Sequence, residues 1–430
     1  MTLAHGVGRV YDLPVPLSLY VAASAATVLL SFVVRSASPL ERGARGERRV
    51  AGPRVAGAVR GVLRVAGVLG LVVALVAGAY ARSEGFTATS LLFWVAGLVG
   101  VVALSALVAG VWDALDPWAT LDLVYRSGDR PPPARTPPWW IAPAALYALF
   151  WFELVSGAGY RDTALVAVLL AYSAVALGWR PSLGPAWRRL DPLSLLFGFA
   201  GRSAPLRLAG DGIYARSPVA AADDPAPMPR GAFAALFVAL GATTLDNVRE
   251  TVGWTDLLDA TNLDEVARMP RDTVALALFA AAFFGAYLAA VAVAHRWIGR
   301  RLTTLDVARR IGWSLAPIAV AYLLAHNVPL LATGVPALLR ALSDPLALGW
   351  NVLGTAHLFE GFEPSPKLVW WIEIVLVVGG HVLGVLVAHR AAWRLSTSYH
   401  RAVRSQYALT ALMVGYTAAT LWLLAQPLVT

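Results

Sequence analysis

Ten apolar runs, each near the length of a membrane-crossing helix, recur along this chain and decide what it can fold into. They lie at about 17–34, 65–81, 89–112, 139–156, 164–179, 232–245, 273–294, 311–334, 368–389 and 406–426. An apolar helix of about 20 residues covers the roughly 30 Å hydrocarbon core of a bilayer. The composition agrees: 58% of residues are hydrophobic, 14% are charged, and the mean hydropathy is +0.63. A soluble domain carries roughly 25% charged residues, so a water-soluble enzyme of 430 residues is excluded. Disulfide frameworks, thiolate metal sites and cysteine nucleophiles are excluded too, because the chain has no cysteine. The expected fold is all-α: one transmembrane domain over 1–430, a polytopic bundle of about ten spans.

Basic residues set the expected orientation. The connector from Arg35 to Arg64 holds eight Arg and two Glu. By the positive-inside rule it lies in the cytoplasm, which puts the N-terminus outside. Arg126, Arg130 and Arg135 then fall inside, as do the connector 180–231, the Arg296–Arg310 stretch, and Arg390, Arg394, Arg401 and Arg404. The outer loop 246–272 has seven acids and three Arg. Both termini are expected outside, and the chain reads as a multi-pass protein of the cell membrane. The first span, followed rather than preceded by its Arg cluster, reads as an anchor and not as a cleaved leader. A net charge of +9 held in these connectors suits an anionic membrane face; no nucleic-acid motif accompanies it.

The connectors 35–64 and 180–231 read as cytoplasmic Arg-rich segments, with 39–61 and 127–138 as flexible linkers. The apolar stretch Leu193–Phe199 suits an interfacial helix lying on the membrane surface. The outer loop 335–367 has room for a partly re-entrant segment. Two patterns recur: Trp112-x-x-Leu115-Asp116-Pro117 returns as Trp187-x-x-Leu190-Asp191-Pro192, and Ala294-His295-Arg296 returns as Ala388-His389-Arg390. Both fit an internal duplication about an axis along the membrane normal. The Asp-Pro pairs themselves read as helix starts, with the carboxylate as cap.

Ionisable and amide side chains inside spans are the candidates for function, because burying them in lipid is costly. They are Glu153 on span four, Asp246-Asn247 at the outer end of span six, His326-Asn327 interrupting span eight, and Glu373 and His381 on span nine. At about 1.5 Å per residue, Glu153 lies ~5 Å, Glu373 ~8 Å, His326 ~12 Å and His381 ~20 Å below the outer surface. Asp246 is at the mouth. Glu153, Asp246, His326 and Glu373 can therefore share one layer, with His381 deeper. Asn327, two residues before Pro329, sits where the helix breaks and can open backbone carbonyls to a cavity. Gly380-x-x-x-Gly384 lets a second helix approach span nine closely.

Such a group can hold a divalent metal that activates water, or relay protons. Imidazoles on facing helices can also bracket a haem. The same groups can merely join helices. The signatures of zinc peptidases, serine hydrolases, nucleotide-binding loops and dinucleotide folds are missing.

Several strings considered together carry a family resemblance: Ala4-His5-Gly6, Asp12-Leu13-Pro14-Val15-Pro16, Ser31-Phe32, Leu245-Asp246, Ser343-Asp344-Pro345, Gly380-His381, Ala388-His389, Arg404-Ser405-Gln406-Tyr407 and Met413-Val414-Gly415-Tyr416-Thr417. Together they resemble a family of multi-pass prokaryotic membrane proteins labelled fenitrothion hydrolase. The resemblance runs from the N-terminus through the last span and is weakest at 35–60 and 200–230. It departs at Leu245-Asp246-Asn247, where the family has Phe-Asp-Gly. It implies metal-assisted hydrolysis of organophosphorus triesters and brings no assigned catalytic residue. In that mechanism His326 and His381, with Glu373 or Asp246, would hold the ion, and its bound hydroxide would attack phosphorus; His5 could add a ligand. A secondary transporter for an ion or small solute is the alternative, and a haem- or copper-binding subunit a third. In each reading the partners are the bilayer and a small ligand or ion.

Overall fold

A computed structural model describes residues 16–37, 46–80, 87–125, 137–223, 226–264, 266–298, 302–359 and 362–426. It is a helix bundle. The principal helices are α1 (Leu17–Ala37), α2 (Pro53–Tyr80), α3 (Ala88–Leu107), α4 (Ile141–Leu154), α5 (Asp162–Leu183) and α6 (Pro192–Arg202). After them come α7 (Arg230–Arg249), α8 (Arg268–His295), α9 (Ala316–His326), α10 (Val328–Ser343), α11 (Pro366–Leu395) and α12 (Tyr407–Leu424).

Nine helical stretches among the described residues are long and apolar enough to cross a membrane. The chain is therefore an integral membrane protein by length and composition of its helices. The expected fourth span is the 14-residue α4, whose ~21 Å falls short of a bilayer core. The expected eighth span is broken. α9 stops at His326, Asn327 leaves helical geometry (φ −94°, ψ 9°), and α10 starts with Pro329 in its first turn. Proline lacks the N–H that a continuing helix would need there. α10 then runs to Ser343 and packs on the π-wound centre of α3, Leu91–Gly100, so the first nine residues of the expected outer loop 335–367 are helix.

The connectors with the most arginine gather at one end. Arg309 Nε donates to the Met228 carbonyl at 2.7 Å, the Arg202 guanidinium lies 4.2 Å over the Trp313 ring, and Tyr399 Oη donates to the Arg35 carbonyl at 3.2 Å. Two expectations are corrected at this Arg-rich end. Residues 46–51 are not a flexible linker. β1 (Arg48–Ala51) joins β4 (Ile213–Ala215), β3 (Leu206–Leu208) and β2 (Val108–Ala109) in a sheet of order β1-β4-β3-β2. Arg48 pairs with Ala215 and Arg49 with Tyr214, antiparallel, and Glu47 forms an ion pair with Arg207. Four strands of two to four residues, drawn from three distant segments, close a cap over the helix ends.

α6 is not an interfacial helix. Leu195, Leu196, Phe197, Phe199, Ala200 and Gly201 are all buried, against α3, α4 and α9. Its apolar side chains occupy more than one face, and a helix apolar all round belongs inside.

The two Trp-x-x-Leu-Asp-Pro motifs meet in space. Asp116 and Asp191 precede helices that begin at Pro117 and Pro192; Asp116 accepts from Ala119 N at 2.9 Å and Asp191 from Ser194 N at 2.8 Å. Both are buried. Arg180 of α5 donates to Asp116 at 2.7 Å, Tyr172 of α5 donates to Asp191, and Trp112 Nε1 reaches Ser194 Oγ at 3.3 Å. The motif repeats because it does one local task twice: each carboxylate starts a helix and also pins it to α5.

α7 and α9 form the centre. The apolar stretches are 78% buried in α7 and 83% buried over Thr304–His326, which ends in α9, against 17% for α2 and 28% for α8. Polar side chains on α7 and α9 therefore face protein, not lipid.

Candidate functional site

Asp246 stands at the last turn of α7 and His326 at the last residue of α9, at the end of the bundle away from the arginines. His326 Nε2 and Asp246 Oδ2 are 2.8 Å apart, with side chains 6% and 16% exposed. That is hydrogen-bond contact, between groups 80 residues apart in sequence.

Two more carboxylates lie within electrostatic reach of this pair, Glu153 and Glu250. Glu153 comes from the end of α4. That helix is held to α8 by Trp151 Nε1 on Thr273 Oγ1 at 2.8 Å and by Tyr147 Oη on the Thr273 carbonyl at 2.7 Å. Arg249 closes the corner by donating to the Leu154 carbonyl at 2.6 Å, and its guanidinium stands 3.8 Å from the buried Asp272. Glu250 follows the last residue of α7. Burial, then the charge of Asp246, push its carboxyl up to about 7, with His326 and Arg249 pulling the other way. The Tyr160 phenol faces the same carboxylates.

One acid thus contacts the imidazole, and two more act on it through their charge. Sequence reasoning placed Glu153, Asp246, His326 and Glu373 in one layer; the structure puts His326 in contact with Asp246 and Glu153 within electrostatic reach of both. Glu250 was counted only as one acid of the loop, since no periodicity extends past the end of α7 to point it inward.

The other candidates are placed as follows. Asn247 Nδ2 donates to the Thr243 carbonyl at 3.0 Å and Asn327 Nδ2 to the Leu323 carbonyl at 2.9 Å. Each amide thus ties back onto its own helix. At the break itself the Asn327 carbonyl accepts from Leu331 N at 2.9 Å. His381 is fully buried, with Nδ1 2.8 Å from the Val377 carbonyl and its ring 5.8 Å from that of Tyr416. Glu373 is buried on the same helix. His5 lies outside the described residues.

The register of α9 against α11 separates the two histidines. A β-carbon at Gly380 would stand 2.8 Å from the Pro317 carbonyl oxygen, and one at Gly384 2.8 Å from that of Ser314. The helices run antiparallel there, so His326 is level with Glu373. His381 is eight residues, or ~12 Å, nearer the Arg-rich end. One ion with bonds of about 2 Å cannot take both imidazoles across such an offset. Among the described residues no three side chains of His, Asp and Glu are grouped to hold a metal ion. The residues that the resemblance offered as ligands do not form a set, and no step is derived through a metal.

The fold and site define a polytopic helical membrane protein with a buried acid–imidazole cluster at one end. No protein-family profile matches the chain, and neither a curated protein nor a solved structure matches it.

Proposed function

We propose that the protein is a secondary transporter of the cell membrane whose Asp246–His326 pair, with Glu153 and Glu250 in electrostatic reach, exchanges protons for a cation or small basic solute. One observation carries this reading: the 2.8 Å contact between His326 Nε2 and Asp246 Oδ2 in a cluster of three carboxylates. When all three acids are ionised, the His326 imidazolium and the Arg249 guanidinium, which also faces Asp272, leave the cluster short of positive charge. In a low-dielectric setting that deficit is costly. Protons or a bound cation relieve it equally well, so occupancy by one displaces the other. The break between α9 and α10 beside the pair is the kind of interruption that accompanies binding sites in transporters. By the positive-inside expectation, the site faces outward.

Purified protein in weakly buffered detergent, with a pH dye, tests the exchange. Sodium, magnesium or methylammonium chloride should release protons at neutral pH, and Asp246→Asn should abolish the release. No release for any of the three would contradict the proposal.

A second reading uses the same contact. Asp246 could orient His326 as a general base that draws a proton from water attacking phosphorus, which is the hydrolysis of organophosphorus triesters that the family resemblance implies. Release of the aryl alcohol from a nitrophenyl phosphotriester, lost in His326→Gln, would favour hydrolysis over transport.

A further inference from the structure

α8 and α12 pack together but leave an apolar cleft of about 550 Å³ between them, a volume in the range of small-ligand sites. Phe279 and Phe283 of α8 and Leu412 of α12 line its sides, and buried Phe237 of α7 and Ile318 of α9 lie at its floor. Its rim is made of small residues. Ala282 and Ala286 of α8 and Ala411, Gly415 and Ala419 of α12 all line the cleft and are all exposed. A β-carbon at Gly415 would meet nothing within 4 Å, so open space, not a neighbouring helix, lies beside it. In a helix only 28% buried, as α8 is, that exposed face meets lipid.

The chemistry of the lining selects hydrocarbon. Among the described residues no charged side chain lines the cleft, and its hydroxyls are engaged. Thr244 Oγ1 donates to the Leu240 carbonyl at 2.8 Å and accepts from Tyr416 Oη at 3.0 Å; Tyr287 Oη donates to the Ala308 carbonyl at 2.9 Å. An occupant therefore gains by burying apolar surface there. On α12 the lining runs from Leu409 to Ala419, or ~15 Å. That is half of the roughly 30 Å hydrocarbon core, the depth of one leaflet.

The end of the cleft nearer the arginines carries charge. Arg404 lies five residues before Leu409, ~8 Å along the chain axis of α12 and the short helix that leads into it. Its guanidinium lies 5.2 Å over the ring of Trp297, which follows the end of α8 by two residues. The contact thus ties the continuations of the two helices that wall the cleft. Arg404, Trp297 and the adjacent Arg296 are exposed, and neither guanidinium has a carboxylate partner among the described residues. Tryptophan belongs at the headgroup level of a bilayer, and basic pockets between helices at that level take anionic headgroups.

We propose that this cleft binds one anionic phospholipid from the leaflet at the Arg-rich end, with an acyl chain between α8 and α12 and the phosphate on Arg404 and Arg296. The site needs nothing of the chemistry at Asp246 and His326.

The test is native mass spectrometry of the full chain, delipidated in detergent and titrated with dioleoyl phosphatidylglycerol or dioleoyl phosphatidylcholine. Wild type should retain one phosphatidylglycerol per chain and prefer it over phosphatidylcholine by about tenfold or more, as two arginines at the headgroup imply. Arg296→Gln combined with Arg404→Gln should bring the two lipids to the same affinity. Arg54→Gln, at another exposed position of the same end, should leave the preference intact. Gly415→Leu, which fills the cleft without displacing backbone, should weaken both lipids about tenfold. Equal retention of the two lipids by wild type, a preference that survives in the double arginine variant, or unchanged binding in Gly415→Leu each overturns the site. So does a lipid-free dimer that Gly415→Leu splits, which would give the cleft to a second copy of the chain.

Discussion

Glu250 is the residue whose charge state sets how the cluster behaves near neutrality. Because burial raises its carboxyl to about 7, the proton it holds is lost as pH climbs through that value. Cation binding that needs the carboxylate should strengthen across the same interval, and Glu250→Gln should flatten the dependence in a titration of affinity against pH. The stability sign is opposite: a raised carboxyl favours the folded state fully below its unfolded value, and the gain disappears as pH rises past about 7. A second residue-scale prediction concerns Asp116. It partners Arg180, whose side chain is only 11% exposed, so Asp116→Ala leaves a guanidinium with its carboxylate gone. Breaking such a buried pair costs roughly 3–5 kcal/mol, which thermal unfolding in detergent would register. Arg180→Met with Asp116→Leu should recover most of that loss.

Between elements, the joint of α9 and α11 is set by two glycines, and this much was legible. Gly380-x-x-x-Gly384 announced a close helix contact, and the Pro317 and Ser314 carbonyls stand where side chains would go. Gly384→Val should force the helices apart and destabilise by about 1–3 kcal/mol, the range for overpacking, again readable as a lower melting temperature. The break after His326 was legible for a similar reason, since Pro329 cannot continue a helix. Other elements left no local trace. The cap strands are two to four residues long, too short for an alternating pattern, and Arg48 of β1 finds its partner Ala215 167 residues away. α6 looked interfacial because its neighbours are Arg-rich; only its contacts show that it is inside.

For the whole molecule, the apolar runs gave the class of protein at once, whereas orientation rests on where arginines cluster. The chain is naturally free of cysteine, so single substitutions report on sidedness without background. Ser182→Cys at the Arg-rich end and Asp259→Cys beyond α7 are both at exposed positions. In intact cells a membrane-impermeant maleimide should label the latter and spare the former; the reverse pattern would turn the cluster toward the cytoplasm. The acid–imidazole cluster is where the account is most exposed. Infrared difference spectra of the reconstituted protein between pH 5 and pH 8 would address it directly, the interval being centred roughly on histidine's ordinary range. A protonated-carboxyl band that shifts or vanishes in Asp246→Asn and again in His326→Gln is the expected result. Spectra that stay the same in both variants would mean that this pair exchanges no proton.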